Sequence, residues 1–225
     1  MALAGNVHYD TPRDLPGIAP VFPLSGALLL PRVQLPLNIF EPKYLEMLND
    51  ALQGDRIIVV TQPQVDDPDG NDDGELHNVG CAGRITSWSE TGDGRIIVTL
   101  TGISRVCLNE EFETDKPYRL FAIDAEIFSE DFIHGHGESD VNRSELLSTF
   151  KNYLEANDLE ADWDSVEEAS TELLVNSLCM MSPYGEAEKQ AMLEAGTLAR
   201  RAETLIAITE IQIARDTGLS NVTMQ

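Results

Sequence analysis

At 225 residues the chain has room for one large domain or two small ones with a real core, and little beyond that. Its 39 acidic residues outnumber 15 basic ones, a net charge of −24 that repels nucleic-acid phosphates and anionic lipid headgroups and so argues against both as partners. No run of about eighteen apolar residues is present to span a membrane.

The opening MALAGNVHYD lacks the basic and apolar stretches of a signal peptide, so a cytoplasmic location is expected. Cys81, Cys107 and Cys179 are odd in number and far apart, with no C-x-x-C pair, and fit reduced thiols in or near a core.

Residues 1–14 are polar and irregular and read as a flexible tail. Residues 15–129 read mainly as strands. The apolar runs Ala27–Leu30 and Leu35–Ile39 are broken by Pro23, Pro31, Pro36 and Pro42, and proline, lacking a backbone donor, suits short edge or bent strands. Pro42 then opens a helix with Leu45, Leu48 and Leu52 at helical spacing. Arg56–Thr61 is β-branched and reads as a buried strand. Val79–Ser89 and Arg95–Leu108 are longer strands joined by a turn at Glu90–Gly94. In the second of these, Ile96, Val98 and Leu100 share one face and Ile97, Thr99 and Thr101 the other, while Gly102 marks a bulge or a close backbone crossing. Tyr118–Phe128 alternates again. Several strands, glycine-rich turns and one helix predict a partly closed barrel.

Residues 130–142 read as a linker, and 143–225 as a helical bundle. Arg143–Ala156 carries Leu146, Leu147, Phe150 and Leu154 on one stripe. Asp164 and Glu167 have the form of a capping box. Leu173, Leu174, Leu178 and Met181 follow at helical spacing until Pro183, Ala187–Ala195 is a short helix, and Thr197 caps a last helix reaching about Arg215. That last helix has Leu198, Ala202, Leu205, Ile206 and Ile213 on one face and Ile208 and Ile211 roughly opposite, which predicts a central place in the bundle.

The stretch from Phe22 to Leu48 carries a family resemblance. Phe22-Pro23-Leu24, Pro31, Leu35-Pro36-Leu37-Asn38-Ile39-Phe40-Glu41, Lys43-Tyr44 and Met47-Leu48 stand in the order and spacing of the amino-terminal substrate-binding domain of the ATP-dependent Lon proteases, which the chain resembles. Val79–Ile85 and Gly94–Arg105 look like its middle strands, and the carboxyl-terminal third like the helical part of stand-alone bacterial members. The resemblance implies an α+β fold, a PUA-like pseudo-barrel with one helix followed by a helical bundle.

It also implies a module that binds protein rather than cuts it. No G-x-x-x-x-G-K-[ST] phosphate loop occurs, no G-x-S-x-G elbow occurs, and none of the four lysines, Lys43, Lys116, Lys151 and Lys189, sits in a recognisable nucleophile setting. The chain is therefore expected to work without ATP, without a cofactor and without peptidase chemistry, despite its Lon-protease kinship.

Candidate binding residues follow from the motif. Leu30, Leu35, Leu37, Phe40, Glu41, Tyr44 and Arg105 are the positions expected at a peptide groove. Glu41 and Arg105 are charged residues among apolar neighbours, and such groups pair because an unpaired buried charge is very costly; the simplest role for them is a salt bridge that fixes the fold. Asp69, Asn71 and Asp73, with Gly74, match the first six positions of a calcium loop, but the twelfth is Gly80 where a bidentate Glu is needed, so a plain acidic loop tip is the simpler reading. His134 and His136 sit too sparsely for zinc, which wants three or four protein ligands.

The function expected is a non-catalytic protein- or peptide-binding module, an adaptor or holdase for proteolysis substrates, with unfolded or tagged proteins and a Lon protease as partners and weak self-association at most. A ligand- or metal-responsive regulator using the barrel or the acidic 66–75 loop is the alternative.

Overall fold

The computed structural model describes residues 2–64 and 74–222, with side chains through Arg215. The calcium-like positions Asp69, Asn71 and Asp73 lie outside the described residues. The chain divides into two compact units, Met1–His134 with Pro183–Leu193, and Gly135–Ser182 with Glu194–Gln225.

The first unit is built on β1 (Ala2–Ala4), β2 (Val7–Tyr9), β3 (Ile18–Pro23), β4 (Gln34–Ile39), α1 (Pro42–Gln53), β5 (Ile57–Thr61), β6 (Val79–Glu90), β7 (Ile96–Phe112) and β8 (Arg119–Asp124). Six strands run in the order β4-β7-β6-β5-β3-β8, and β8 also pairs with β7, closing a five-strand ring with β4 outside it. Strand β7 makes this possible by serving two neighbours on one side. Its first part, Ile96–Thr101, pairs with β4, and Cys107–Phe112 pairs with β8. Every residue of β5 is buried, as a strand inside the ring requires, which explains its unbroken β-branched run.

Gly102 divides the two parts of β7. A Cβ there would collide with the Leu30 carbonyl, while the Gly102 amide donates to Val33 O (3.0 Å) and its carbonyl accepts from the Arg32 amide (2.8 Å). A crossing of two backbones with no space for a side chain is what glycine permits. The segment Leu28-Leu29-Leu30, expected as a strand, is instead an irregular buried passage held in this crossing.

Three expectations change in this unit. Residues 2–9 form the β1–β2 hairpin, not a loose tail, because Ala2, Ala4 and Tyr9 are buried in the core with Val21, Ile57 and Ile103. Helix α1 buries Tyr44, Met47, Leu48 and Ala51, so its core face is turned from the stripe read through Leu45 and Leu52. Strand β8 ends at Asp124, and the rest of the expected strand is a 3-10 turn, Glu126–Phe132, whose Phe128 and Phe132 plug the core.

Five α-helices follow among the described residues: α2 (Arg143–Ala156), α3 (Trp163–Glu168), α4 (Thr171–Met181), α5 (Glu186–Glu194) and α6 (Leu198–Val222). Although α5 lies inside the range expected to be one helical domain, it packs in the barrel unit. Gln62 Nε2 donates to Glu186 O and Gln190 Oε1 (3.2 Å each), Gln190 Nε2 donates to Val79 O (3.2 Å), and Lys189 Nζ donates to Gly26 O (2.6 Å). Met192 and Leu193 are buried with it.

In the second unit the caps are side-chain acceptors. Asn142 caps α2 through the Glu145 amide (3.3 Å), and Ser170 caps α4 through the Leu173 amide (3.2 Å). Helix α3 is capped by Asp162, which accepts from the Ser165 amide and hydroxyl; the cap read at Asp164 lies two positions too far along. Residues 135–140 of the expected linker are pinned: the Glu138 carboxylate accepts from the Glu172 amide (2.8 Å) and Glu172 accepts from the Gly135 amide (2.9 Å). The core joins Leu146 and Leu154 with Leu174, Val175, Leu178, Leu198, Ala202 and Leu205. Ile211 is 52% exposed, so α6 does not bury both of its apolar sides within the described chain, contrary to the central position expected.

Candidate functional site

Strand β4 is the edge of the sheet. Among the described residues it pairs with β7 alone, from Gln34 opposite Thr101 to Ile39 opposite Ile96. Pro36 lies in its middle, a residue confined to edge strands because it cannot donate to a ladder. Alternation divides its side chains. Leu35 and Leu37 are half-buried on the face shared with Val98 and Leu100, whereas Pro36 and Asn38 are exposed.

The chain leaves β4 at Ile39 and enters α1 at Pro42. Phe40, between them, is 61% exposed. Ile97, opposite Asn38, is 48% exposed, and Trp88, which shares the Val98 row with Leu37, is 47% exposed with the Arg56 guanidinium 5.3 Å from its ring. The register puts all three large apolar side chains at the same end of the β4-β7-β6 sheet. An exposed strand edge beside exposed aromatic and aliphatic side chains can take an extended segment by main-chain pairing, with side chains seated alternately.

The residues read from the motif separate into surface and support. Leu35, Leu37, Phe40 and Glu41 are accessible at this edge. Tyr44 is 4% exposed; its ring packs on Phe22 with centroids 4.3 Å apart, and Lys43 Nζ lies 4.8 Å from its centre. Leu30 is buried in the Gly102 crossing. Arg105 is buried too, and the expected pairing with Glu41 is not made. Glu41 is exposed at the start of α1, 3.9 Å from Lys43, while Arg105 Nε and Nη2 bind the two carboxylate oxygens of Asp131 at 2.8 Å each. The fold-fixing role expected of Arg105 therefore falls to a partner in the 3-10 turn.

Ile97 and Trp88 were not singled out from sequence. Ile97 did carry a signal, as an isoleucine on a strand face otherwise made of threonines. Elsewhere, no group of three His, Cys, Asp or Glu side chains suited to a metal is found among the described residues. No helix among them is long and apolar enough to cross a membrane.

The model of the substrate-binding domain of ATP-dependent protease La (Lon) matches residues 18–210. The chain belongs to the Lon substrate-binding domain family. The match is to that domain and not to the ATPase or peptidase parts of Lon. Lon protease of Parabacteroides distasonis is 33% identical over 205 residues, 84% of this chain and 23% of that protein. Lon protease of Xanthomonas oryzae pv. oryzae is 27% identical over 202 residues, 86% and 23% respectively. The chain thus spans about a quarter of the length of these relatives.

The fold agrees as well. A Lon N-terminal domain protein from Xanthomonas campestris superposes with a TM-score of 0.60 at 21% identity, covering 84% of this chain and 97% of the other. The N-terminal domain of Mycobacterium avium complex Lon protease superposes with a TM-score of 0.60 at 14% identity, covering 86% and 98%. The Lon-type motif from Phe22 to Leu48 therefore builds the β3 end, the Gly102 crossing, the β4 edge and the first half of α1.

Proposed function

We propose that this chain is a non-catalytic recognition module that holds extended segments of unfolded or tagged protein substrates on the β4 edge, as a holdase or as an adaptor that passes them to a Lon protease. The observation that carries the reading is an edge strand, paired on one side only among the described residues, that runs directly into Phe40, a phenylalanine left mostly in solvent next to the buried Ile39. Exposed large apolar side chains flank this edge on its two faces, Ile97 on one and Trp88 on the other, which suits an extended segment whose side chains alternate between faces. Membership of a substrate-binding family supports the same role.

Leu35, Leu37, Phe40 and Glu41 touch the bound segment in this reading, with Ile97 and Trp88 beside them. Leu30, Tyr44 and Arg105 hold the edge in place from beneath. The charge of −24 selects basic or neutral segments over acidic ones through the long-range field.

Fluorescence anisotropy with three unstructured peptides of equal apolar content and net charges of about +4, 0 and −4 tests the proposal. The basic peptide is expected to bind at roughly tens of micromolar, the acidic one not at all, and Phe40→Ala to weaken binding about tenfold. Absence of affinity for all three peptides, or affinity that Phe40→Ala leaves unchanged, overturns it.

A further inference from the structure

A cleft of about 520 Å³ in the barrel unit lies apart from the β4 edge in sequence and in lining, between residues 7–16 and the start of β5. Val7, Leu15 and Ile57 form its apolar wall, and its polar groups are Tyr9, Arg84, Asp14 and Asp55, with His8 on the rim. The volume is within the range of small-molecule sites.

The cation is pinned but not neutralised. Arg84 Nη1 donates to Tyr9 Oη (3.0 Å) and to the Asp55 carbonyl (2.9 Å), which fixes the guanidinium plane. Its Nε and Nη2 have no hydrogen-bond partner among the described residues. Tyr9 is 4% exposed, and having accepted from Arg84 its hydroxyl keeps its own proton to donate. A fixed guanidinium edge beside a phenolic donor suits a carboxylate.

The anions of the cleft are equally unspent. Asp14 Oδ2 accepts from the amides of Asp10 and Thr11 (2.8 Å each), which leaves Oδ1 over. Those amides, that of Asp10 foremost, hold the Asp14 carboxyl below the usual range, so it stays charged. The Asp55 carboxylate is exposed and has no partner among the described residues. Neither Asp14 nor Asp55 makes an ion pair with Arg84. One cleft thus presents separated charges of both signs that do not satisfy each other.

In a chain of charge −24 a simple anion meets an opposing field, whereas a zwitterion brings no net charge. We infer that this cleft binds a small zwitterion of the α-amino-acid class, its carboxylate taken by Arg84 and Tyr9, its ammonium by Asp14 and Asp55, and an aliphatic side chain by the Val7–Leu15–Ile57 wall. The site is independent of the β4 edge.

An NMR titration of the whole chain with L-leucine, N-acetyl-L-leucine and L-leucinamide tests the inference. Leucine should shift amide signals of residues 7–16, 54–57 and 84, saturating with a Kd on the order of 1 mM or tighter. Each analogue lacks one charge and should bind about tenfold more weakly or worse. Arg84→Gln should weaken leucine about tenfold. Asp55→Asn changes only an exposed side chain, and it should weaken leucine about tenfold while leaving N-acetyl-L-leucine unaffected. No saturable shift up to about 50 mM leucine, analogues that bind as tightly as leucine, or an Asp55→Asn chain with unchanged affinity would each overturn it.

Discussion

Arg105 grips Asp131 at both carboxylate oxygens, through Nε and Nη2 at 2.8 Å each, and the Arg105 amide adds a third bond to the same group at 3.0 Å. The two side chains are 4% and 9% exposed, and the guanidinium lies 4.5 Å from the Phe128 ring. Arg105 Nη1 reaches on to the Leu193 carbonyl (3.4 Å), so one buried cation joins β7, the 3-10 turn and α5. Removing one member of a buried pair strands the other's charge, which costs far more than replacing both.

Asp131→Asn should therefore destabilise the barrel unit by about 3–5 kcal/mol. The double substitution Arg105→Met with Asp131→Leu should cost at most about 1–2 kcal/mol. Urea unfolding followed by Trp88 fluorescence, in a Trp163→Phe background that leaves one reporter in the barrel, gives both numbers. Equal losses for the single and double substitutions would show that the pair does not carry the stability assigned to it.

The Gly102 crossing makes a second, sharper case. Gly102→Ala places a methyl group against the Leu30 carbonyl, and neither backbone can retreat because the two are hydrogen-bonded to each other through Arg32 and Val33. A loss of about 3 kcal/mol or more is expected. Gly17→Ala, where a Cβ meets nothing within 4 Å and the backbone is not left-handed, should change stability by less than about 0.5 kcal/mol. Matched denaturation midpoints for the two variants would refute the crossing.

Asp50 predicts a pH dependence. Its Oδ2 accepts from Lys116 Nζ and from the Tyr118 hydroxyl, 2.7 Å each, and the Lys116 bond foremost holds its carboxyl below the usual range. A lowered carboxyl contributes stability above its ordinary pKa of about 4 and loses it as pH falls through the folded value. Tyr118 moves the other way: burial first, then the bond to Asp50, pushes its phenol well above the ordinary range. Its contribution is present below about pH 10 and is lost as pH rises through the folded value. In a phenolate absorbance titration, Asp50→Asn should move the ionisation of one tyrosine to lower pH, because the bond that helps keep Tyr118 protonated is weakened. A phenolate titration curve that Asp50→Asn leaves unchanged would sink the assignment.

Much of this was legible before any coordinates. The β-branched run of β5, the β6–β7 hairpin and the ends of α2 follow from periods of two and of 3.6, which depend on local residues alone. Gly102 was readable as a bulge or a close backbone crossing, because a glycine inside a strand marks one or the other, and the Leu30 carbonyl packed against it decides for the crossing. What failed depends on distant partners. Asp131 lies 26 residues from Arg105 in a 3-10 turn with no period to announce it, so Glu41, farther away in sequence but part of the motif, looked like the better match. Helix α5 carries no sequence signal of where it packs, and it is assigned to the barrel by bonds to residues 88 or more positions away, from Gln62 and Arg105 and to Gly26 and Val79.

Phe40 and Tyr44 divide the Lon-type motif into surface and support, a division invisible until the rotation of α1 is known. Tyr44 faces the core with Met47, Leu48 and Ala51, and its ring lies against Phe22. Tyr44→Ala should cost about 3–5 kcal/mol, the range for emptying a buried aromatic site. Phe40 is 61% exposed and makes no such contact, so Phe40→Ala should leave stability within about 0.5 kcal/mol. The two variants then test different things. Peptide binding lost in Tyr44→Ala is ambiguous, because the β4 edge can be lost with the fold. Binding lost in Phe40→Ala at an unchanged denaturation midpoint isolates the edge itself. If Phe40→Ala instead lowers the midpoint as far as Tyr44→Ala does, then Phe40 is part of the core's support and the exposed edge is not the recognition surface.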